Sequence, residues 1–224
     1  MLKIENFEVT GWEAAIRGMR NPKNSWEKSD SQTCANCNGC LPGQECERYK
    51  NGTFIGPNDL DLMTRLRNAG TDHRKFMRMI IVYLDITAPL YYWKEFDTYK
   101  VGTVANSCST MHKIADKEFT LEDFSCEHLE NSWLAHLKET IRLLNEARDA
   151  YNWCNTDAKK DWWWQMIQLL PSSYNQKRTV MLNYEVLANI YDSRKDHKLD
   201  EWHTFCHWIE ELPYSELITR YEEE

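Results

Sequence analysis

Four cysteines, Cys34, Cys37, Cys40 and Cys46, stand as C-x2-C-x2-C-x5-C in a polar stretch, a spacing that lets thiolates converge on zinc or an iron–sulfur cluster. Free thiols or an occasional disulfide in a loop are the alternative. His73 lies in TDHRKFMRM beside Arg74, Lys75 and Arg78, the most basic point of the chain. A neutral imidazole among cations can act on an anionic ligand as donor or base; a solvated basic turn is the plainer reading. Lys94, Glu95, Asp97, Tyr99 and Lys100 follow an apolar run, with Asn106, Cys108, Ser109 and His112 shortly after. Polar residues directly after a buried strand are often where ligand groups are presented, and Cys108 stands at helical i,i+4 spacing from His112, as a nucleophile beside a base would. Asn183, Asn189 and Arg194 share one helical stretch. Arginine suits planar, bidentate recognition of a carboxylate, a phosphate or a pyrimidine edge, while a charged last turn of a surface helix needs no ligand. His203 and His207 flank Cys206 at i,i+4 and read as structural.

These residues need elements to hold them. Lys3 to Thr10 alternates loosely and predicts an edge strand, followed by a short helix over Trp12 to Met19. Arg20 to Gly56 is polar, without period, and reads as a long loop or inserted module. Pro57 opens a helix that Gly70 closes. Met79 to Thr87 is β-branched and aromatic and predicts the strongest strand, ended by Pro89, with a helix over Leu90 to Phe96. Leu129 to Tyr151 carries a long amphipathic stripe. Further helices are expected over Asp157 to Leu169, Tyr184 to Tyr191 and Leu199 to Glu210, and a strand over Arg178 to Leu182. Helices with a few strands make the class α+β.

At 224 residues, the chain is expected to form one domain that buries about 70% of its unfolded surface. Hydrophobic residues at 42% and charged residues at 28%, with only 8 Gly and 6 Pro, exclude disordered and collagen-like classes. Thirty-five acidic against 27 basic residues leave a net charge of −8 and no Lys/Arg-rich run, so no nucleic-acid partner is expected. The start, MLKIENFEVT, lacks a signal peptide's apolar region and no apolar run reaches spanning length, so no membrane association and a cytoplasmic location are expected. Most of the eight cysteines would then stay reduced. The terminal Glu222 to Glu224 reads as a solvated fray. Ten Trp and 11 Tyr suit both a core and a pocket that stacks on flat ligands. There is no G-x-G-x-x-G, G-x-x-x-x-G-K-[ST], G-x-S-x-G or H-E-x-x-H, so dinucleotide, P-loop, hydrolase-elbow and zincin readings lack support.

Three separated stretches resemble the flavin-dependent thymidylate synthases. Asp72-His73-Arg74-Lys75-Phe76 stands at that family's Gly-His-Glu-Thr-Pro-like turn, and Ile80 to Thr87 with Ala88-Pro89 follows at ungapped spacing. Leu170-Pro171, Asn183, Leu187, Asn189 and Arg194 reproduce the later block. The resemblance covers the chain except for an insertion at about 21–56 that carries the cysteines. It implies a helix-rich α+β domain with a small central antiparallel sheet, assembled as a homotetramer that binds FAD and a nucleotide ligand. By the same resemblance His73 and Arg194 would be catalytic, and Asn183, Lys100 and Asn189 would hold the cofactor. Lys94, Glu95, Cys108, Ser109 and Arg194 would meet the substrate. The family's Arg-His-Arg positions hold Thr98, Tyr99 and Lys100, its Ser-x-Arg falls on Cys108 and Thr110, and the Arg before Leu-Pro falls on Ile167. Each lost charge-assisted contact is worth roughly 1.5–3 kcal/mol. Two functions follow: flavin-dependent one-carbon or hydride transfer to a pyrimidine nucleotide, or a catalytically inactive homologue that binds or sequesters a nucleotide or nucleotide-derived signal. A structural oligomer with Trp-rich interfaces is the third.

Overall fold

The computed structural model describes residues 1–33 and 52–219. The cysteines Cys34, Cys37, Cys40 and Cys46, expected to ligate metal, lie outside the described residues, as do Glu222 to Glu224. Among the described residues no group of three or more His, Cys, Asp or Glu could hold a metal ion, and no helix is long and apolar enough to cross a membrane.

The strands are β1 (Lys3–Thr10), β2 (Gln32–Thr33), β3 (Thr53–Phe54), β4 (Ile81–Pro89), β5 (Val104–Ser107) and β6 (Asn175–Asn183). The helices are α1 (Trp12–Arg20), α2 (Pro57–Asn68), α3 (Leu90–Phe96), α4 (Asn131–Trp153), α5 (Lys159–Leu169), α6 (Tyr184–Arg194), α7 (Asp200–Glu210) and α8 (Glu216–Thr219). The class is α+β, helix-rich with a small antiparallel sheet, whose strand order is β1-β4-β6-β5. β2 and β3 form a separate antiparallel pair, with Gln32 opposite Phe54. The two inner strands carry the apolar side chains: Val82, Leu84, Ile86 and Ala88 of β4 and Val180 and Leu182 of β6 are all buried. The edge strand β5 is exposed at all four residues.

The chain divides into two compact units. Unit 1 comprises Met1–Glu5, Asp85–Thr98 and Ala105–Thr179; unit 2 comprises Asn6–Leu84, Tyr99–Val104 and Val180–Glu224. In unit 1 the stripe of α4 is buried at Leu137, Ile141, Leu144 and Ala147 and packs with Met166 of α5, Phe119 and Phe124. Trp133, in phase with that stripe but one turn before it, is 63% exposed. In unit 2 the core is aromatic. Trp12 packs edge-on against Tyr184 and Tyr214, each at 5.2 Å between ring centroids, and burying such rings contributes the largest apolar areas available.

Gly11 caps α1 with φ +94°. A Cβ there would fall 2.0 Å from the Met79 carbonyl oxygen, so both backbone conformation and space demand glycine. Gly11→Ala is expected to cost at least about 1–3 kcal/mol, read as a lowered urea midpoint with an unchanged slope.

The end of α1 and the start of α2 meet at a buried ion pair in unit 2. Arg20 Nε donates to Asp59 Oδ1 at 2.6 Å, with the side chains 4% and 0% exposed. The other Asp59 oxygen accepts from the Ser29 and Ser31 hydroxyls at 2.7 and 2.6 Å and from the Asp30 and Ser31 amides at 3.1 Å. Asp30 in turn accepts from the Asn58 and Asp59 amides, which caps α2 from outside its own sequence. Arg20 completes its fork on the Ser25 and Lys28 carbonyls. Burial by itself raises the Asp59 pKa, but the Ser31 and Ser29 hydroxyls and then Arg20 outweigh it, so the carboxyl titrates below its ordinary value.

Candidate functional site

Five of the residues singled out from sequence belong to unit 2: His73, Lys100, Asn183, Asn189 and Arg194. Helix α6 carries Asn189 and Arg194, and Asn183 immediately precedes it. Asn183 is its cap: the side-chain oxygen accepts from the Val186 amide at 3.0 Å, and the residue is 7% exposed. Gly102, at φ +80°, lies against it, and a Cβ there would come within 2.9 Å of Asn183 Nδ2 and 3.2 Å of Val186 Cγ2. The loop that carries Lys100 therefore approaches the start of α6 only because position 102 lacks a side chain. Lys100 itself is exposed.

At the other end of α6, Arg194 Nε donates to the Tyr99 hydroxyl at 2.9 Å. Its guanidinium carbon lies 4.9 Å from the Trp202 ring centroid of α7 and 5.6 Å from that of Tyr99. A guanidinium beside two rings is held by cation–π attraction as well as by the hydrogen bond, so this cation is held by residues of the loop and of α7.

His73 is exposed, at the start of a 3-10 segment over Arg74–Met79. The next residue turns inward. Arg74 Nε donates to Glu185 Oε1 at 3.3 Å and Arg74 Nη2 to Asn189 Oδ1 at 2.9 Å. Arg78 also bonds Glu185, whose hydrogen bond and charge raise the Arg78 pKa. The basic turn and α6 are thus joined by one carboxylate that meets two arginines. The most basic segment of the sequence is partly neutralised by a residue 111 positions away.

The remaining four, Lys94, Glu95, Cys108 and Ser109, belong to unit 1. Lys94 is exposed and Glu95 half-buried on α3. Cys108 follows β5: its amide donates to the Lys177 carbonyl at 2.9 Å, and its own carbonyl accepts from Gln176 Nε2 at 2.8 Å. Trp93 Nε1 donates to the Gln176 carbonyl at 3.0 Å, which ties α3 to the same strand. The helical relation expected between Cys108 and His112 does not form, since the segment after β5 makes turns rather than a helix. The Ser109 hydroxyl accepts the His112 amide at 2.9 Å and closes a local turn instead. Sequence reasoning passed over Arg178, which stacks 4.2 Å from the Trp93 ring and bonds Asp97 and Gln176. It also passed over Glu185 and Trp202, whose only sequence signal is a carboxylate and an indole on helices opposite a basic turn and an arginine. His203 and His207 are exposed on α7, near Asp200 and near Glu210 and Glu211 respectively.

No protein-family model and no curated protein matches the chain. Solved structures do match. The crystal structure of Thymidylate Synthase X (ThyX) from Helicobacter pylori with FAD and dUMP aligns at TM-score 0.63 and 14% identity, covering 98% of this chain and 97% of that one. A second crystal structure of flavin dependent thymidylate synthase ThyX from the same organism, complexed with FAD and dUMP, aligns at TM-score 0.59 and 15% identity, over 97% and 96% of the two chains. The fold is similar to theirs along nearly its whole length.

Proposed function

We propose that this protein is a nucleotide-binding protein built on the fold it shares with flavin-dependent thymidylate synthases, and that Arg194 recognises a pyrimidine nucleotide. The observation that carries this is the fixed guanidinium: Tyr99 and Trp202 orient the one arginine of α6, and a planar cation held in one orientation suits the edge of a base or a phosphate. By the family resemblance, Lys94, Glu95, Cys108 and Ser109 of unit 1 are candidate substrate contacts in their own right, and His73 of unit 2 is the candidate proton-transfer group. The whole chain 1–224 acts as one thymidylate synthase complementing protein-like domain, with the Cys-rich insertion at about 21–56 holding zinc or an iron–sulfur cluster if it holds metal. It works as a cytoplasmic homotetramer.

A bound flavin would supply hydride or one-carbon transfer, and this chain's residues fit FAD only in part. Lys100 is exposed and suited to a phosphate, whereas the side-chain oxygen of Asn183 caps α6 and that of Asn189 takes Arg74. Those two commitments favour the second reading, a catalytically inactive homologue that binds or sequesters a nucleotide or nucleotide-derived signal.

The visible absorption spectrum of freshly purified protein, with mass spectrometry of whatever it releases on denaturation, separates the two. A flavin spectrum supports the enzyme and directs tests to dUMP turnover. A colourless protein that releases a nucleotide supports the binder. A protein that releases neither and binds neither FAD nor dUMP on titration contradicts both.

A further inference from the structure

A cleft of about 760 Å³ opens in unit 1 between the turn that joins α4 to α5 and the segment after β5, a volume within the range of small-molecule sites. Trp163 forms one wall. Its indole N–H donates to the Met111 carbonyl at 2.9 Å, which occupies the polar edge of the ring and ties α5 to the segment after β5. Tyr151, near the end of α4, forms a second aromatic wall, and the Lys159 ammonium lies 4.5 Å from its ring centroid. That contact holds a cation beside an aromatic surface. Lys160 and His112 add nitrogen donors, and Asp157 is the single carboxylate of the lining. In a chain with a net charge of −8, two lysines against one carboxylate invert the local charge balance, which favours an anion.

Aromatic walls and two lysines lining one cleft call for a ligand that is both flat and anionic. We propose that the cleft binds a nucleoside monophosphate, its base against Trp163, its phosphate met by Lys159 and Lys160, and its ribose hydroxyls accepted by Asp157. The cleft shares no residue with those proposed above for the nucleotide, and its His112 adjoins one of them, Ser109, whose hydroxyl accepts the His112 amide.

Calorimetric titration of the full chain with adenosine 5′-monophosphate at low salt tests this. Saturable binding is expected, with adenosine and inorganic phosphate each weaker by about tenfold or more. The double variant Lys159→Ala/Lys160→Ala, at one half-buried and one exposed position, is expected to lose about tenfold or more in affinity while keeping the wild-type circular dichroism spectrum, and Arg194→Ala to leave the affinity unchanged. Trp163→Leu should weaken binding similarly. Because it also removes the bond to Met111, the lysine pair carries the decision. No saturable binding, equal affinity for inorganic phosphate alone, or binding lost in Arg194→Ala but kept in the lysine variant would each overturn the proposal.

Discussion

Replacing Asp59 with alanine is expected to lower the unfolding free energy by about 3–5 kcal/mol, because it leaves the Arg20 guanidinium buried without its counter-charge. Arg20 is 4% exposed and Asp59 wholly buried, so water cannot replace the lost partner. The substitution also strands the Ser29 and Ser31 hydroxyls and two backbone amides that now end on Asp59, each costly to leave unpaired. Asp61, in the same helix but exposed and paired with Arg65 at the surface, is the internal control: Asp61→Ala should move stability by no more than about 0.5 kcal/mol. Urea denaturation of the three proteins checks the difference. The pH dependence has a definite sign. The folded-state pKa of Asp59 is depressed, so its contribution is complete above the unfolded value, about 3.9, and is lost as pH falls through the lower folded value. The stability gap between wild type and Asp59→Ala should therefore be constant near neutrality and close only in the acid range below about pH 4.

The second large effect concerns Arg194. Arg194→Ala is expected to weaken pyrimidine nucleotide binding by at least about a hundredfold, the equivalent of losing two charge-assisted hydrogen bonds. Arg194→Lys should recover little of it, since an ammonium lacks the planar fork and stacks less well on Trp202. Equilibrium binding measured alongside thermal unfolding separates recognition from structure. A variant that unfolds like wild type yet no longer binds places Arg194 in the site, whereas unchanged affinity would confine its role to the contacts with Tyr99 and Trp202.

The helices were legible where punctuation and periodicity coincide. Pro89 and the apolar run after it predict a helix over Leu90 to Phe96, and α3 has those bounds. Pro57 starts α2 where expected. The strand expected over Met79 to Thr87 runs instead from Ile81 to Pro89: Met79 ends the 3-10 segment over Arg74–Met79 and Ile80 follows as its cap. β5 gave no signal, since a short edge strand with all four residues exposed has no buried face to impose alternation. Long-range pairing was the less visible part. Asp59 reads as an ordinary acid in the first turn of a helix and Arg20 as the basic end of another, yet the fold, 39 positions apart in sequence, makes them a buried pair. Tyr99 and Arg194 are 95 positions apart, a separation that spacing cannot report. The pairing of Arg74 and Arg78 with Glu185 likewise turns an apparently open basic turn into a shared ion-pair network.

The proposed function stands or falls on a pyrimidine nucleotide binding to this fold through Arg194. Its most direct test is calorimetric titration of the unmodified full chain with a pyrimidine nucleoside monophosphate, repeated on Arg194→Ala. Saturable binding by the wild-type protein that disappears in the variant is expected. No saturable binding by the wild-type protein, or binding that survives intact in Arg194→Ala, would contradict it.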